Sequence, residues 1–323
     1  MGIDDSILKR INFEELINEL KERGAKRVGV QLPDGLKFKS HEIIKRVEDD
    51  GFQVILSGSG SYGACDIDTS LLNEVDILIH FGHTAILKIG RVIYTPYFID
   101  FEIKIEDIKI EEKRIALIAT AQYAWKLNEV KRILEDDGYD VELNRGKRVK
   151  FPGQVLGCNY SVLRNSSADA VLFIGDGLFH PVGASIYSKK KVYRYSPLSR
   201  EFGEVTVEDF LRKRMNLLAK AMYSEKKGAI IVSSKPGQKR FKLAERLQRE
   251  GRDAGKEVDL LMVDEITPSK LLNFPYGYYV NTACPRISYD DAELFSSPIL
   301  TPQEFEIMTG KRDWNNYSMD EIF

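Results

Sequence analysis

The sequence predicts an α/β protein of three similar domains, each a parallel-sheet unit with crossover helices. Three observations predict it. Apolar strands alternate with amphipathic helical segments of roughly 10–15 residues, the pattern of parallel sheets. That pattern restarts twice along the 323 residues, at intervals of roughly 100 residues, as an internal triplication would. The only three cysteines, Cys65, Cys158 and Cys284, fall one in each third, 158 − 65 = 93 and 284 − 158 = 126 residues apart. The domains so defined are 1–110 with Cys65, 111–200 with Cys158 and 201–323 with Cys284.

In the first unit, Phe13, Leu16, Ile17 and Leu20 share one face of a helix over 13–23. Gly24 stops it, since glycine accepts the left-handed backbone of a helix end. Residues 27–32 read as a buried strand ended by the turn cluster Pro33-Asp34-Gly35. A helix over about 40–50 and a strand over 52–56 follow. A Gly/Ser loop over 57–64, a short helical stretch after Cys65 and an apolar strand over 75–81 complete the unit.

The second unit repeats the order: strand 114–119, helix 126–137 with Leu127, Val130 and Leu134 on one face, a stop at Gly138 and strand 139–143. A loop carries Cys158, and strand 170–174 precedes Gly175-Asp176-Gly177. The third unit opens with an amphipathic helix over 207–223, rich in Lys and Arg, then strand 228–233, helix 238–250 and strands 258–263 and 278–281. One irregularity stands out. Cys65 and Cys158 precede the third strand of their units, whereas Cys284 follows its equivalent. The third domain must present its thiol from a different loop, although both loop types can sit at one end of a parallel sheet, where such folds place ligands.

Apolar residues at 43% and charged residues at 30% are the balance of a globular chain. A formal net charge of −2 argues against broad electrostatic binding of nucleic acid, which needs excess Lys and Arg. It leaves room for a protein or small-molecule partner. The acidic start Met1-Gly2-Ile3-Asp4-Asp5 is no signal peptide, and no apolar run approaches the roughly 20 residues that span a bilayer. The expectation is a cytoplasmic protein with no membrane contact. An odd number of distant cysteines does not form a secreted disulfide framework.

Each cysteine has Gly or Ala before it and a turn-forming residue after it: Ala64-Cys65-Asp66, Gly157-Cys158-Asn159, Ala283-Cys284-Pro285. A free cysteine is by default a small buried hydrophobe. Three in matching loops, with none elsewhere, point instead to shared chemistry. Thiolates suit zinc or an iron–sulfur cluster. Structural zinc closes its shell with four protein ligands, while three leave a position open; a 4Fe–4S cluster on three cysteines also leaves one iron open. The residues alone support an open-site thiolate metal centre, its metal undecided.

Gly58-Ser59-Gly60-Ser61-Tyr62-Gly63 matches a dinucleotide fingerprint, but it follows the second strand of its unit and runs into Cys65, and Asp76 starts a strand rather than ending one. The context of a nicotinamide site is missing. Small residues there let the backbone approach something bulky beside the thiol. His80, His83 and His180 fall at matching strand ends, as ligand contacts or as imidazoles bonded to loop carbonyls. Phe81-Gly82-His83 and Gly175-Asp176-Gly177 are expected as equivalent edges of one cavity. Ser234, Gly237 and Gln238 lie in a strand–helix turn whose free N–H groups could hold an anion, or which is a plain capped turn. Arg286 could grip a carboxylate in bidentate fashion, or form a surface ion pair. No Ser-His-Asp order, phosphate-binding Walker loop or H-E-x-x-H is present, and Glu225-Lys226-Lys227 reads as a solvated helix end.

Four segments carry a resemblance: Gln31-Leu32-Pro33-Asp34-Gly35-Leu36, Tyr62-Gly63-Ala64-Cys65-Asp66, Gln154-Val155-Leu156-Gly157-Cys158 and Val280-Asn281-Thr282-Ala283-Cys284-Pro285-Arg286. Over essentially its whole length the chain resembles the archaeal diphthamide synthase subunits, the 2-(3-amino-3-carboxypropyl)histidine synthase family. The resemblance implies three α/β domains around a central cluster site, with Cys65, Cys158 and Cys284 as ligands of a 4Fe–4S cluster. It implies that S-adenosylmethionine binds at the open iron and is cleaved reductively, and that a 3-amino-3-carboxypropyl radical adds to a histidine of translation elongation factor 2. A homodimer served by an external electron donor is implied as well. No C-x-x-x-C-x-x-C occurs, which fits this family. On that reading Ser234, Gly237, Gln238 and Arg286 are candidates for the amino-acid end of S-adenosylmethionine. Quinolinate synthase, also three α/β units with three cysteines on an open cluster, is the rival enzyme. A non-catalytic three-lobed binding protein with buried structural cysteines is the third reading.

Overall fold

The computed structural model describes residues 11–322, and within them the strands form three sheets that share one plan. The first has the order β2-β1-β3-β4, from β1 (Arg27–Gln31), β2 (Gln53–Leu56), β3 (Ile77–Gly82) and β4 (Val92–Pro96), all parallel. The second has the order β6-β5-β7-β8-β9, from β5 (Arg114–Ala119), β6 (Asp140–Glu142), β7 (Ala170–Ile174), β8 (Lys191–Ser196) and β9 (Glu201–Glu204). Only its last pair, β8 with β9, is antiparallel. The third is β11-β10-β12-β13, from β10 (Gly228–Ser233), β11 (Val258–Val263), β12 (Tyr278–Asn281) and β13 (Ile299–Leu300), again parallel. In each, the unit's first strand lies inside, with the second and third on its two sides.

Apolar runs made the inner strands legible. β3, β7, β10 and β12 are buried at every residue, as strands covered on both faces must be. The helix Phe13–Glu22 buries Phe13, Leu16, Ile17 and Leu20, and its N-cap Asn12 side chain accepts from Glu15 N at 3.1 Å. Leu127–Asp136 buries Leu127, Val130 and Leu134 in the same manner.

Other elements have weaker signals. β4 ends in Pro96, and β13 has two residues. The helix Phe179–Ser188 contains Pro181 and Gly183 and exists because it packs: the Tyr160 ring occupies the space a side chain at Gly183 would need. The turn expected at Pro33-Asp34-Gly35 runs into a 3₁₀ segment, Asp34–Lys39. The helix expected from Gln238 starts only at Phe241.

The lobes are tied together beside the cysteines. Gln154 Nε2 of the second lobe donates to Thr84 Oγ1 of the first at 3.0 Å, both buried. Lys235 of the third pairs with Asp66 of the first at 2.5 Å. The end of the chain returns to the second lobe, where Ile322 N donates to the Cys158 carbonyl at 2.8 Å and Glu321 accepts from Tyr160 N at 3.0 Å. No helix among the described residues is long and apolar enough to cross a membrane.

Candidate metal centre

Each cysteine sits beyond the carboxyl end of a parallel strand, where such sheets place ligands. Cys65 follows β2, Cys158 follows β6 and Cys284 follows β12. The third thiol thus comes from a different loop, as its position in the repeat requires. All three line one cavity of about 210 Å³, and each is half-buried. Its walls are mostly apolar or neutral, with Ala64, Val155, Leu156 and Phe179 among them; among the described residues, Arg286 is the one side chain there with a permanent charge. Among the described residues, no three His, Cys, Asp or Glu side chains lie close enough to grip a single ion.

Local structure explains why these loops hold still. At Cys158, Leu156 and Asn159 exchange backbone hydrogen bonds of 3.1 and 3.0 Å, so Gly157 and Cys158 form the tip of a tight turn. A Cβ at Gly157 would lie 2.1 Å from the Phe179 ring, so only glycine lets the turn settle there. At Cys284 the fully buried Asn281 acts as a clamp. Its Nδ2 donates to the Cys284 carbonyl at 2.8 Å, and its Oδ1 accepts from Ala283 N at 2.8 Å. Arg240 donates to the carbonyls of Thr282 at 2.6 Å and Ala283 at 3.2 Å while pairing with Asp320. At Cys65, a Cβ on Gly237 would meet the cysteine's Cβ and carbonyl at 2.6 Å, and Gln238 Nε2 lies 3.4 Å from its sulfur.

Burial pushes all three thiols up, Cys284 to about 12. Cys158 is raised further by its neighbours Cys65 and Cys284, and the Gln238 amide acts against the rise at Cys65. Thiols held this way keep their protons until a metal displaces them.

Of the expected cavity edges, Gly82 and His83 line the wall. On the second lobe, Phe179 and His180 do so instead of Gly175-Asp176-Gly177. Asp176 is turned to Tyr123 and to Ser196, whose Oγ donates at 2.5 Å. Burial lowers His83 and His180 to about 4 and His80 to about 3, so all three imidazoles are neutral near pH 7.

In the turn with Ser234, Gly237 and Gln238, three N–H groups are engaged within the protein: Ser234 N donates to the Val263 carbonyl at 2.8 Å, Lys235 N to Ser233 Oγ at 3.1 Å and Gln238 N to the Lys235 carbonyl at 3.0 Å. Ser234 is exposed and lines neither cavity described here. Gln238 lines a second cavity of about 310 Å³, which shares Tyr62, Cys284 and Arg286 with the first. That second space is acidic: Asp66, Asp264, Glu265, Asp290 and Asp291 face Lys235 and Arg286. Arg286 gives its Nε to Asp290 at 2.6 Å and rests over the Phe179 ring, 5.3 Å from its centre. The Gly58–Gly63 loop opens no crossover helix and leads to the cysteine. Thr84, Phe179 and Arg240 were not singled out from the sequence, where only Thr84 and Phe179 had a signal, their place after an apolar strand; Gln31 entered only as part of a family-like segment, with no role.

Comparison with known proteins gives one answer. The diphthamide synthesis protein family matches residues 32–319. The 2-(3-amino-3-carboxypropyl)histidine synthase of Pyrococcus horikoshii is 38% identical, over 98% of this chain and 94% of its own. That of Methanocaldococcus jannaschii is 30% identical, over 98% and 94%. Subunit 1 of the enzyme from Encephalitozoon cuniculi is 32% identical, over 96% and 95%. The crystal structure of Dph2 from Pyrococcus horikoshii with a 4Fe-4S cluster superimposes with a TM-score of 0.89 at 38% identity, covering 97% of this chain and 94% of that one.

Proposed function

Because the chain belongs to the diphthamide synthesis family, we propose that it transfers the 3-amino-3-carboxypropyl group of S-adenosylmethionine to a histidine of translation elongation factor 2. It is an enzyme, a 3-amino-3-carboxypropyl transferase. Family membership takes the place of the rival expectation of a quinolinate synthase-like dehydratase.

The observation that carries the reading is one thiol from each of three lobes around a single cavity. Three thiols with no fourth are a soft donor set that suits sulfur-loving metals and leaves one position of the bound group open. Cys65, Cys158 and Cys284 would hold a 4Fe–4S cluster, with no fourth cysteine in the chain to close it. When bound, that cluster supplies the electron for reductive cleavage of the bond between sulfur and the methionine Cγ. The apolar wall from Val155, Leu156 and Phe179 keeps water from the reacting atoms. Arg286, which lines both cavities, would take the carboxylate of S-adenosylmethionine, and the acidic side of the second cavity suits its ammonium. An external electron donor and a homodimer complete the proposal.

Anaerobic reconstitution with iron and sulfide tests it. The expected results are a paramagnetic-resonance signal that changes with S-adenosylmethionine, methylthioadenosine release after reduction, and elongation factor 2 labelled on histidine. A colourless protein after reconstitution, or quinolinate formed from iminoaspartate and dihydroxyacetone phosphate, would overturn it.

A further inference from the structure

A buried chain of hydrogen bonds ends in the cysteine cavity, and its direction is fixed at its far end by Gln31. The Gln31 Nε2 donates to the Asp66 carbonyl at 2.8 Å, and its Oε1 accepts from Asp68 N at 3.2 Å. Each partner is a backbone group with a single possible role, so the amide orientation follows. The same Oε1 lies 3.0 Å from His80 Nδ1. An amide oxygen can only accept there, so His80 carries its proton on Nδ1. His80 is fully buried and neutral, so its Nε2 is an acceptor. That Nε2 is 3.0 Å from His83 Nδ1, which must donate to it. His83 is neutral as well, and its ring N–H also meets the Phe81 carbonyl; with the proton held on Nδ1 by His80, its own Nε2 keeps a lone pair. His83 lines the cavity that the three cysteines share.

We propose that His83 Nε2 is a fixed acceptor for the ring N–H of the substrate histidine, orienting that imidazole with its reacting carbon toward the cavity. The assignment rests on the function proposed above. An N–H donor in this cavity could instead be the ammonium of S-adenosylmethionine, but the surroundings argue against it. Among the described residues Arg286 is the one permanent charge on the wall and is itself cationic, whereas five carboxylates line the neighbouring cavity. A neutral acceptor in a cavity also lined by the Phe179 and His180 rings, themselves edge-to-face at 5.2 Å, matches a neutral, flat, N–H-bearing ring. A relay that cannot reverse its polarity also discriminates: a ring presenting a bare nitrogen to His83 would leave two acceptors opposed, which costs binding.

The test compares His83→Phe and His83→Gln with the unaltered, reconstituted protein on elongation factor 2. Iron per chain, methylthioadenosine released and labelled histidine are measured in each. In His83→Phe the iron content holds, while histidine labelled per methylthioadenosine released falls about tenfold or more, the worth of one buried hydrogen bond that must be made. In His83→Gln the amide can donate to His80 and accept from the substrate, so part of that ratio returns. The proposal is overturned if the ratio is unchanged in His83→Phe, or if Gln restores nothing. It is overturned too if labelling and methylthioadenosine release fall in step, which would place His83 on S-adenosylmethionine or the metal. An unaltered protein that releases methylthioadenosine but never labels the factor would instead sink the functional reading itself.

Discussion

Gln238 Nε2 of the third lobe lies 3.4 Å from Cys65 Sγ of the first, 173 positions away in the chain. An N–H aimed at a sulfur strengthens once that sulfur is a thiolate, because a charged acceptor attracts the donor more strongly. Donors to cluster sulfurs are also one of the means by which a protein sets reduction potential. In Gln238→Leu the iron content should hold while the potential of the reconstituted centre becomes more negative, read by a redox titration. An unshifted potential would mean that the contact only fills space.

Removing one thiol tests the one-per-lobe arrangement. Cys158→Ala should lose most of its iron after reconstitution, as should Cys65→Ala and Cys284→Ala, since each lobe offers a single sulfur to the shared cavity. A full iron complement in Cys158→Ala, measured against protein concentration, would contradict the ligand assignment.

Gly237 has no room for a methyl group. A Cβ there would lie 2.6 Å from the Cys65 Cβ and carbonyl and 2.7 Å from its Cα, so the loop itself must move. Gly237→Ala is expected to cost about 1–3 kcal/mol in urea unfolding, the range for overpacking, and to lower iron retention. Gly58→Ala, with open space around its Cβ position, serves as the control.

Arg214 and Glu304 form a bidentate pair of 2.7 and 2.6 Å with almost no solvent access. Glu304 also accepts from Thr301 N at 2.8 Å and Tyr317 OH at 3.0 Å, and Arg214 reaches the Ile299 carbonyl at 3.1 Å. Removing one charge strands the other in the core. Glu304→Gln should cost about 3–5 kcal/mol, whereas the double change Arg214→Met with Glu304→Leu should cost less than the single one. Urea titration of the three chains decides it.

Acid should destabilise the fold through its buried imidazoles. His80, His83 and His180 take up protons near pH 6.5 when unfolded, but burial delays this to about 3, about 4 and about 4 in the folded chain. The unfolded state therefore binds more protons as pH drops below about 6.5, and stability falls toward pH 4 by up to about 1.4 kcal/mol per pH unit for each imidazole. His180→Phe, which keeps a ring stacked near Phe173, should flatten the decline of the urea midpoint between pH 7 and pH 5.

The inner strands were legible because burial on both faces writes itself as an apolar run, as in Ala170–Ile174 and Gly228–Ser233. The helix Phe179–Ser188 was not, because Pro181 and Gly183 hide it until Tyr160 is in place beside it. The engagement of the Ser234 N–H was not legible for a similar reason: it depends on Val263, a residue of the neighbouring strand.

For the cysteines, local pattern was enough to assign each to a separate repeat, to put the third on a different loop and to show which family the surrounding motifs resemble. Periodicity and turn chemistry are local, and that much is local information. What surrounds the sulfurs emerges with folding: Gly237 and Gln238 against Cys65, the Phe179 ring against the Cys158 turn, and Arg240 on the carbonyls before Cys284. Those contacts join residues far apart in the chain, and a hydrogen bond or a close approach across such a gap leaves no period or spacing to read.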